Sequence, residues 1–319
     1  MKKKRRVFVY CPDINVPIGA TKMLYRHVDV LRTLGYRAYA LHRSPQSRYT
    51  WFANRTPIRL EASVRWEPTD FLVIPEAIAA RVTRNFPVPK KIIFNQNCYK
   101  TYLSFFSLDL ANRYCPYREP NVVASIITSG DGEEYLKFAF PGHPIFRLHY
   151  SVDPAIFFPG PKRKPRIAFM PRKNHADARQ VFNILKYRGK LRGYGIEIID
   201  GRSELEVAKA LRESALFFSF GNPDGFSLPI LEAMSCETIV VGYHGMGGRE
   251  MMRPEFSYPV EVGDIVGFVR QAERAIDRWE NERKFFRQQA RDARSFVGET
   301  YSREREISDI ERIWKDVTA

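Results

Sequence analysis

The sequence predicts an α/β fold of parallel sheets in two domains, and three observations carry that expectation. Apolar runs of strand length recur along the chain, and most lead through turn residues into a helical spacing of apolar side chains. Residues 215–236 show this unit most clearly. An apolar run at 215–220 breaks at Gly221-Asn222-Pro223-Asp224-Gly225, and a helix follows whose first turn suits Pro229. Near the middle of the 319 residues, Gly160-Pro161-Lys162-Arg163-Lys164-Pro165 has the proline, glycine and charge of a domain boundary. The expected domains are 1–158 and 159–302.

The first half reads as follows. Residues 7–10 form a strand, and Pro17-Ile18-Gly19-Ala20-Thr21 a loop. Met23, Leu24, His27, Val28, Val30, Leu31 and Leu34 recur at helical spacing until Gly35 ends the helix. A second strand covers 37–41. Residues 43–69 are irregular and aromatic, with Tyr49, Trp51, Phe52 and Trp66; these rings serve either as core or as platforms on which sugars stack. Strands at 71–74 and 91–95 follow, the latter leading into Asn95-Gln96-Asn97-Cys98-Tyr99. After a strand at 122–128, Ser129-Gly130-Asp131-Gly132-Glu133-Glu134 opens a helix whose first-turn acids complement its dipole. Residues 147–150 close the domain.

The second half opens with a strand at 166–170, then Pro171-Arg172-Lys173-Asn174 and a helix over 178–190. A strand at 196–199 ends in Asp200-Gly201-Arg202. Ser203-Glu204-Leu205-Glu206 is a capping box, and Leu205, Ala208, Leu211 and Ala215 are expected to be the buried face of its helix. The central stretch comes next. Its helix start offers free N–H donors and a positive dipole end to an anion, and Asp224 and Glu232 frame it. A strand at 238–242 leads to Gly247-Gly248-Arg249-Glu250, and a further strand with Gly263-Asp264 follows. Residues 264–319 read as charged helices, with one apolar stripe at Phe268, Ala272, Ala275 and Ile276 and another at Ile307, Ile310, Ile313 and Trp314.

Composition narrows the function. With 44% hydrophobic and 27% charged residues the chain is globular, and no apolar run reaches the roughly 18–20 residues of a membrane span. Met1-Lys2-Lys3-Lys4-Arg5-Arg6 leads into a strand that ends at Pro12, not into the apolar core of a secretion signal. Four cysteines, without CxxC or metal-ligand spacing, read as reduced thiols of a cytoplasmic protein. The six histidines are scattered, with no HExxH, and there is no DxD motif; no metal is expected. The net charge of +15 suits an anionic partner: a nucleotide sugar, an anionic membrane surface or nucleic acid.

Residues 224–250 resemble the signature of the retaining GT-B glycosyltransferases of the family 4 type. That signature is Glu-Gly-Phe-Gly-Leu-Pro-x-x-Glu-Ala-Met, then a strand and a Gly-Gly-x-x-Glu turn. Here it stands as Asp224-Gly225-Phe226-Ser227-Leu228-Pro229-Ile230-Leu231-Glu232-Ala233-Met234, with Gly247-Gly248-Arg249-Glu250, a Gly-Gly-x-Glu turn, downstream. Val152, Asp153, Phe157 and Pro159 also match the family's interdomain hinge in register. The resemblance implies two Rossmann-like domains facing a cleft, with the last helix, about 303–319, crossing back to the first. It also implies metal-independent transfer of a sugar, hexosyl-like, from a nucleotide sugar to an acceptor hydroxyl with retention.

On the resemblance, Glu232 binds ribose hydroxyls and Asp224 holds hydroxyls of the donor sugar. Arg172, Lys173 and the backbone at Gly225, Phe226, Ser227 and Leu228 hold the leaving diphosphate. Gly19 marks a close backbone approach, Asn97 lies near the reacting sugar, and Gly201 opens the loop beside the base. The chain departs from the pattern in several places. Asp224 replaces a glutamate, Ser227 and Ala20 replace glycines, and amides at 95–97 replace a histidine. The phosphate-binding lysine expected near Asp177 is missing, with Lys173 or Arg179 as its substitute. The expected acceptor is a glycan or lipid-linked sugar, reached by a cytoplasmic enzyme resting on the inner membrane face. The rival readings are a nucleotide-sugar epimerase on the same fold and a non-catalytic binding protein. Nucleic acid is not expected, because no recognisable motif accompanies the charge.

Overall fold

The computed structural model describes residues 5–160 and 163–318 apart from 87, 89 and 110. The basic residues 1–4 and the linker positions 161 and 162 therefore lie outside the described residues. The chain forms two compact units, 1–149 with 306–319, and 150–305.

Among the described residues, the first unit contains seven strands: β1 (Arg6–Tyr10), β2 (Arg37–His42), β3 (Ile58–Leu60), β4 (Phe71–Pro75), β5 (Lys90–Asn95), β6 (Val122–Ile127) and β7 (Ile145–Arg147). They pair in the order β3-β2-β1-β4-β5-β6-β7, parallel throughout. Helices α1 (Gly19–Thr33), α2 (Ala79–Asn85) and α3 (Gly130–Ala139) connect them. Val7, Val9, Leu72, Val73, Ile92 and Ile93 are fully or almost fully buried, as strands covered on both faces require. Gly35 ends α1 at φ 82°, a left-handed position that glycine adopts without a Cβ clash.

In the aromatic segment 43–69, Tyr49 is buried and Trp66 packs against the core, while Trp51 and Phe52 are half-buried. Tyr49 is fully buried, stacks 4.6 Å from Tyr25 and donates its hydroxyl to the Pro12 carbonyl. Trp66 packs edge-on against Phe8 at 4.9 Å. The short β3 in this segment carries little apolar patterning of its own and forms by pairing with β2.

The second unit begins at Tyr150, earlier than the break expected at 158/159. Segment 150–158 packs into this unit. The Tyr150 ring meets Phe226 edge-on, Phe157 is buried, and Arg212 stands 4.3 Å over the Phe158 ring while donating to the Ile156 carbonyl. The strands are β8 (Lys164–Phe169), β9 (Gly195–Ile198), β10 (Ser214–Ser219), β11 (Ile239–Tyr243) and β12 (Tyr258–Val260). Their order is β12-β11-β10-β8-β9, all parallel. The helices are α4 (His175–Tyr187), α5 (Glu204–Glu213), α6 (Leu228–Ser235), α7 (Ile265–Asn281) and α8 (Arg283–Thr300). Two residues expected on the buried face of α5 differ: Ala215 is buried, but in β10, and Leu205 is not buried at all. Leu205 is 66% exposed, because the stripe Glu204–Ala208–Leu211 faces inward and Leu205 lies off it.

The last helix, α9 (Arg303–Thr318), belongs to the first unit from Glu306 onward. Trp314 and Ile310 are fully buried there, Trp314 Nε1 donates to His27 Nε2, and Glu306 pairs with Arg26 at 2.8 Å.

A buried carboxyl organises the loop after β5. Glu76 is 5% exposed, and its Oε2 accepts the Gln96 N–H at 3.1 Å. Burial pushes its pKa up to about 7 against these backbone donors. A carboxyl raised in the folded state stabilises below its unfolded pKa and loses that contribution as pH rises through the folded one. Glu76→Gln should therefore gain on the wild type by roughly 2–4 kcal/mol between pH about 4.5 and about 7. Urea midpoints of both proteins across that range test this; parallel profiles would contradict it.

Candidate active site

The second sheet reverses direction at β8. β9 lies on one side of it, and β10, β11 and β12 on the other. Open parallel sheets bind ligands outside the carboxyl ends of their strands at such a switch point. Here the turns after β8 and β10 meet around a cavity lined by Arg172, Lys173, Ser219, Gly221, Asp224 and Ser227, among others.

Local chemistry builds each wall. Asn174 is left-handed at φ 46°, and its Nδ2 donates to the carbonyls of Phe220 and Asn222. Lys173 Nζ donates to Asp224 Oδ1 at 2.7 Å and to the Pro223 carbonyl at 2.6 Å. These contacts tie the turn after β8 to the turn after β10. Arg172 lines the same cavity.

The other wall is the glycine turn downstream. Asp224 N–H donates to the Gly245 carbonyl, and the Asp224 carbonyl accepts Gly247 N–H at 2.9 Å. A Cβ on Gly247 would lie 2.0 Å from the Gly225 carbonyl oxygen, and one on Gly248 2.3 Å from that of His244. One turn thus packs backbone-on-backbone against the other.

Helix α6 starts at the cavity, with Ser227 and Pro229 in the lining. Pro229 brings no N–H and the Ile230 N–H donates to the Ser227 carbonyl, so this helix start contributes chiefly its positive dipole end, alongside the cations of Arg172 and Lys173. Lys173 and Asp224 are 28% and 24% exposed, so both can exchange partners with an incoming ligand. The arrangement can hold an anion at the helix start and present a carboxylate to hydroxyl groups.

The structure thus brings together Arg172, Lys173, Asp224 and Ser227. Gly225 is buried beside them. Phe226 and Leu228 turn their side chains into the core, where Phe226 meets Tyr150 and Tyr301. Glu232 lies one turn along α6, half-buried and outside the cavity lining. Gly201 stands in the exposed loop after β9 at φ 61°, also outside it. Arg179, the possible stand-in for the missing lysine, instead lies 3.3 Å from His175 Nε2 on an exposed face of α4.

Gly19 and Asn97 are in the first unit. Gly19 is the first residue of α1. The Asn97 side chain caps its own turn by accepting Tyr99 N–H, while Asn95 donates to Thr101 and Tyr117. Amides there satisfy local groups. Sequence reading passed over Asn174, although asparagine is among the few side chains that favour a left-handed backbone, and Glu76, whose burial depends on β5. Among the described residues, no group of three or more His, Cys, Asp or Glu is placed to hold a metal ion.

No protein-family model matches the chain. The two parallel Rossmann-like sheets define a GT-B fold. A sucrose-phosphate synthase from Thermosynechococcus elongatus shares it with a TM-score of 0.70 and 12% identity, over 98% of this chain and 99% of that one. HepE from Anabaena, solved with UDP-glucose, shares it with a TM-score of 0.66 and 12% identity, over 97% and 99%. In sequence, the chain is similar to an alpha-1,6-glucosyltransferase from Actinobacillus pleuropneumoniae serotype 7 (strain AP76). The two are 26% identical over 292 residues, 86% of this chain and 84% of that protein.

Proposed function

We propose that the chain is a retaining glycosyltransferase of the family 4 type that moves a hexosyl group, glucose first among candidates, from a nucleotide sugar to an acceptor hydroxyl. The observation that carries this reading is the cavity at the β8/β10 switch point, where Arg172, Lys173, Asp224 and the start of α6 converge. Similarity to a glucosyltransferase and to a fold solved with UDP-glucose supports the donor class.

In this reading the bond between the anomeric carbon and the diphosphate oxygen breaks, and the diphosphate leaves with the electron pair. Arg172 and Lys173 stabilise the charge that develops on it, together with the N–H groups at 226–228, so fixed cations act in place of a metal. Asp224, freed from Lys173, accepts hydrogen bonds from sugar hydroxyls. Glu232 takes the ribose. The acceptor oxygen bonds to the anomeric carbon on the face the diphosphate leaves, and its proton passes to the departing phosphate. The acceptor is a glycan or lipid-linked sugar, and the net charge of +15 favours work beside an anionic membrane surface. No helix among the described residues is long and apolar enough to cross a membrane.

The test is a melting series with nucleoside diphosphates and their sugars. A ligand at 100 times its Kd adds about 2.7 kcal/mol, a rise of a few degrees for domains of this size. A rise with one nucleotide, followed by sugar transfer to a glycan acceptor but no epimer without one, is the expected result. A folded protein that responds to no nucleotide would overturn the reading.

A further inference from the structure

The second unit holds another cavity, of about 480 Å³, lined by Arg163, Arg283, Arg287, Arg291, Glu237 and Trp279, among others. Arg163 and Glu237 precede β8 and β11, so they mark the amino edge of the sheet. Arg172 and Asp224 follow the carboxyl ends of β8 and β10. A six-residue strand spans about 20 Å, so this cavity is separate from the candidate active site.

Its charge is out of balance. Among the described residues, four guanidiniums share the cavity with one carboxylate. Glu237 already takes Arg163 Nη2 at 2.9 Å, and its other oxygen lies 3.7 Å from Arg294. The Arg163 side chain is 11% exposed, and its Nε is buried with no acceptor among the described residues. A buried donor left unmade is costly. Arg283 stands 3.6 Å over the Trp279 ring. No carboxylate among the described residues pairs with Arg283, Arg287 or Arg291. These three recur every fourth residue along one face of α8, a spacing at which like charges repel. A surface helix gains by alternating sign at this spacing, and this one does not.

We propose that this cavity is a binding site for a phosphate group, supplied by a soluble phosphate ester or by a phospholipid headgroup. The guanidinium fork matches two phosphate oxygens at once. A tetrahedral dianion among Arg163, Arg287 and Arg291 meets donors from several directions and supplies the acceptor that Arg163 Nε lacks. The Trp279 and Phe286 side of the cavity suits the apolar part of an ester.

The test uses inorganic pyrophosphate as the soluble probe, by calorimetry on the full chain, and sedimentation with phosphatidylglycerol against phosphatidylcholine vesicles. Pyrophosphate binding should survive in Arg172→Ala and weaken about tenfold or more in Arg287→Ala/Arg291→Ala, with Arg287→Gln intermediate. Phosphatidylglycerol vesicles that sediment the wild type, and release it on adding pyrophosphate, identify the headgroup as the source. Soluble binding without sedimentation identifies a free ester. Loss of pyrophosphate binding in Arg172→Ala but not in the α8 variants, or no binding at all, would overturn the proposal. None of these readouts depends on sugar transfer, so failure here and failure of the transferase reading are distinguishable.

Discussion

Arg172→Ala is expected to lower kcat/KM for sugar transfer by about 10²–10³-fold, the cost of one preorganised donor to a developing negative charge. The residue lines the cavity where the turns after β8 and β10 meet. Its guanidinium can hold two diphosphate oxygens together, so Arg172→Lys should recover only part of the loss. Lys173→Ala should behave differently. Lys173 binds both Asp224 and the Pro223 carbonyl, so its removal loosens the turn itself and raises KM as well as lowering kcat. Steady-state rates with a fixed acceptor separate the two. Turnover in Arg172→Ala equal to the wild type would remove this residue from the diphosphate site.

Trp314→Ala is expected to destabilise the first unit by about 3–5 kcal/mol, in the range for truncating a fully buried aromatic. Trp314 packs against Phe71 and Tyr36, with ring centroids 5.5 and 5.7 Å away, and donates to His27 Nε2 at 3.1 Å. Burial pushes the His27 pKa down to about 3, so the imidazole stays neutral and Nε2 is free to accept. A histidine depressed in this way costs stability as pH falls from about 6.5 toward about 3, opposite in sign to Glu76. Denaturant unfolding followed by tryptophan fluorescence measures the loss. A change under about 1 kcal/mol would mean that α9 contributes little to the fold of this unit.

Much of the architecture was legible because it is written in local pattern. Residues 215–218 and 220 are apolar, and β10, Ser214–Ser219, is buried along its whole length. Met23 to Leu34 repeats at helical spacing, and α1 ends where Gly35 stops it. Ser203 and Glu206 form the capping box their spacing predicts. Where pattern was weak, reading failed. β3 has three residues and exists by pairing with β2. Leu205 is apolar yet exposed, because one leucine in a first turn does not say which side of a helix the sheet will cover.

By itself the sequence determined most of the strands, turns and helices and the residue types that could hold an anion. Each of these depends on a few neighbouring residues. The tertiary structure alone decided which of them meet. Lys173 and Asp224 are 51 positions apart, and they pair because β8 and β10 are neighbours at the switch point. His27 and Trp314 are 287 apart and share one buried hydrogen bond because α9 packs into the first unit. The arginines of α8 meet Arg163 at the opposite edge of the same sheet for the same reason. Strand order and packing create such contacts, and a short window of sequence contains neither.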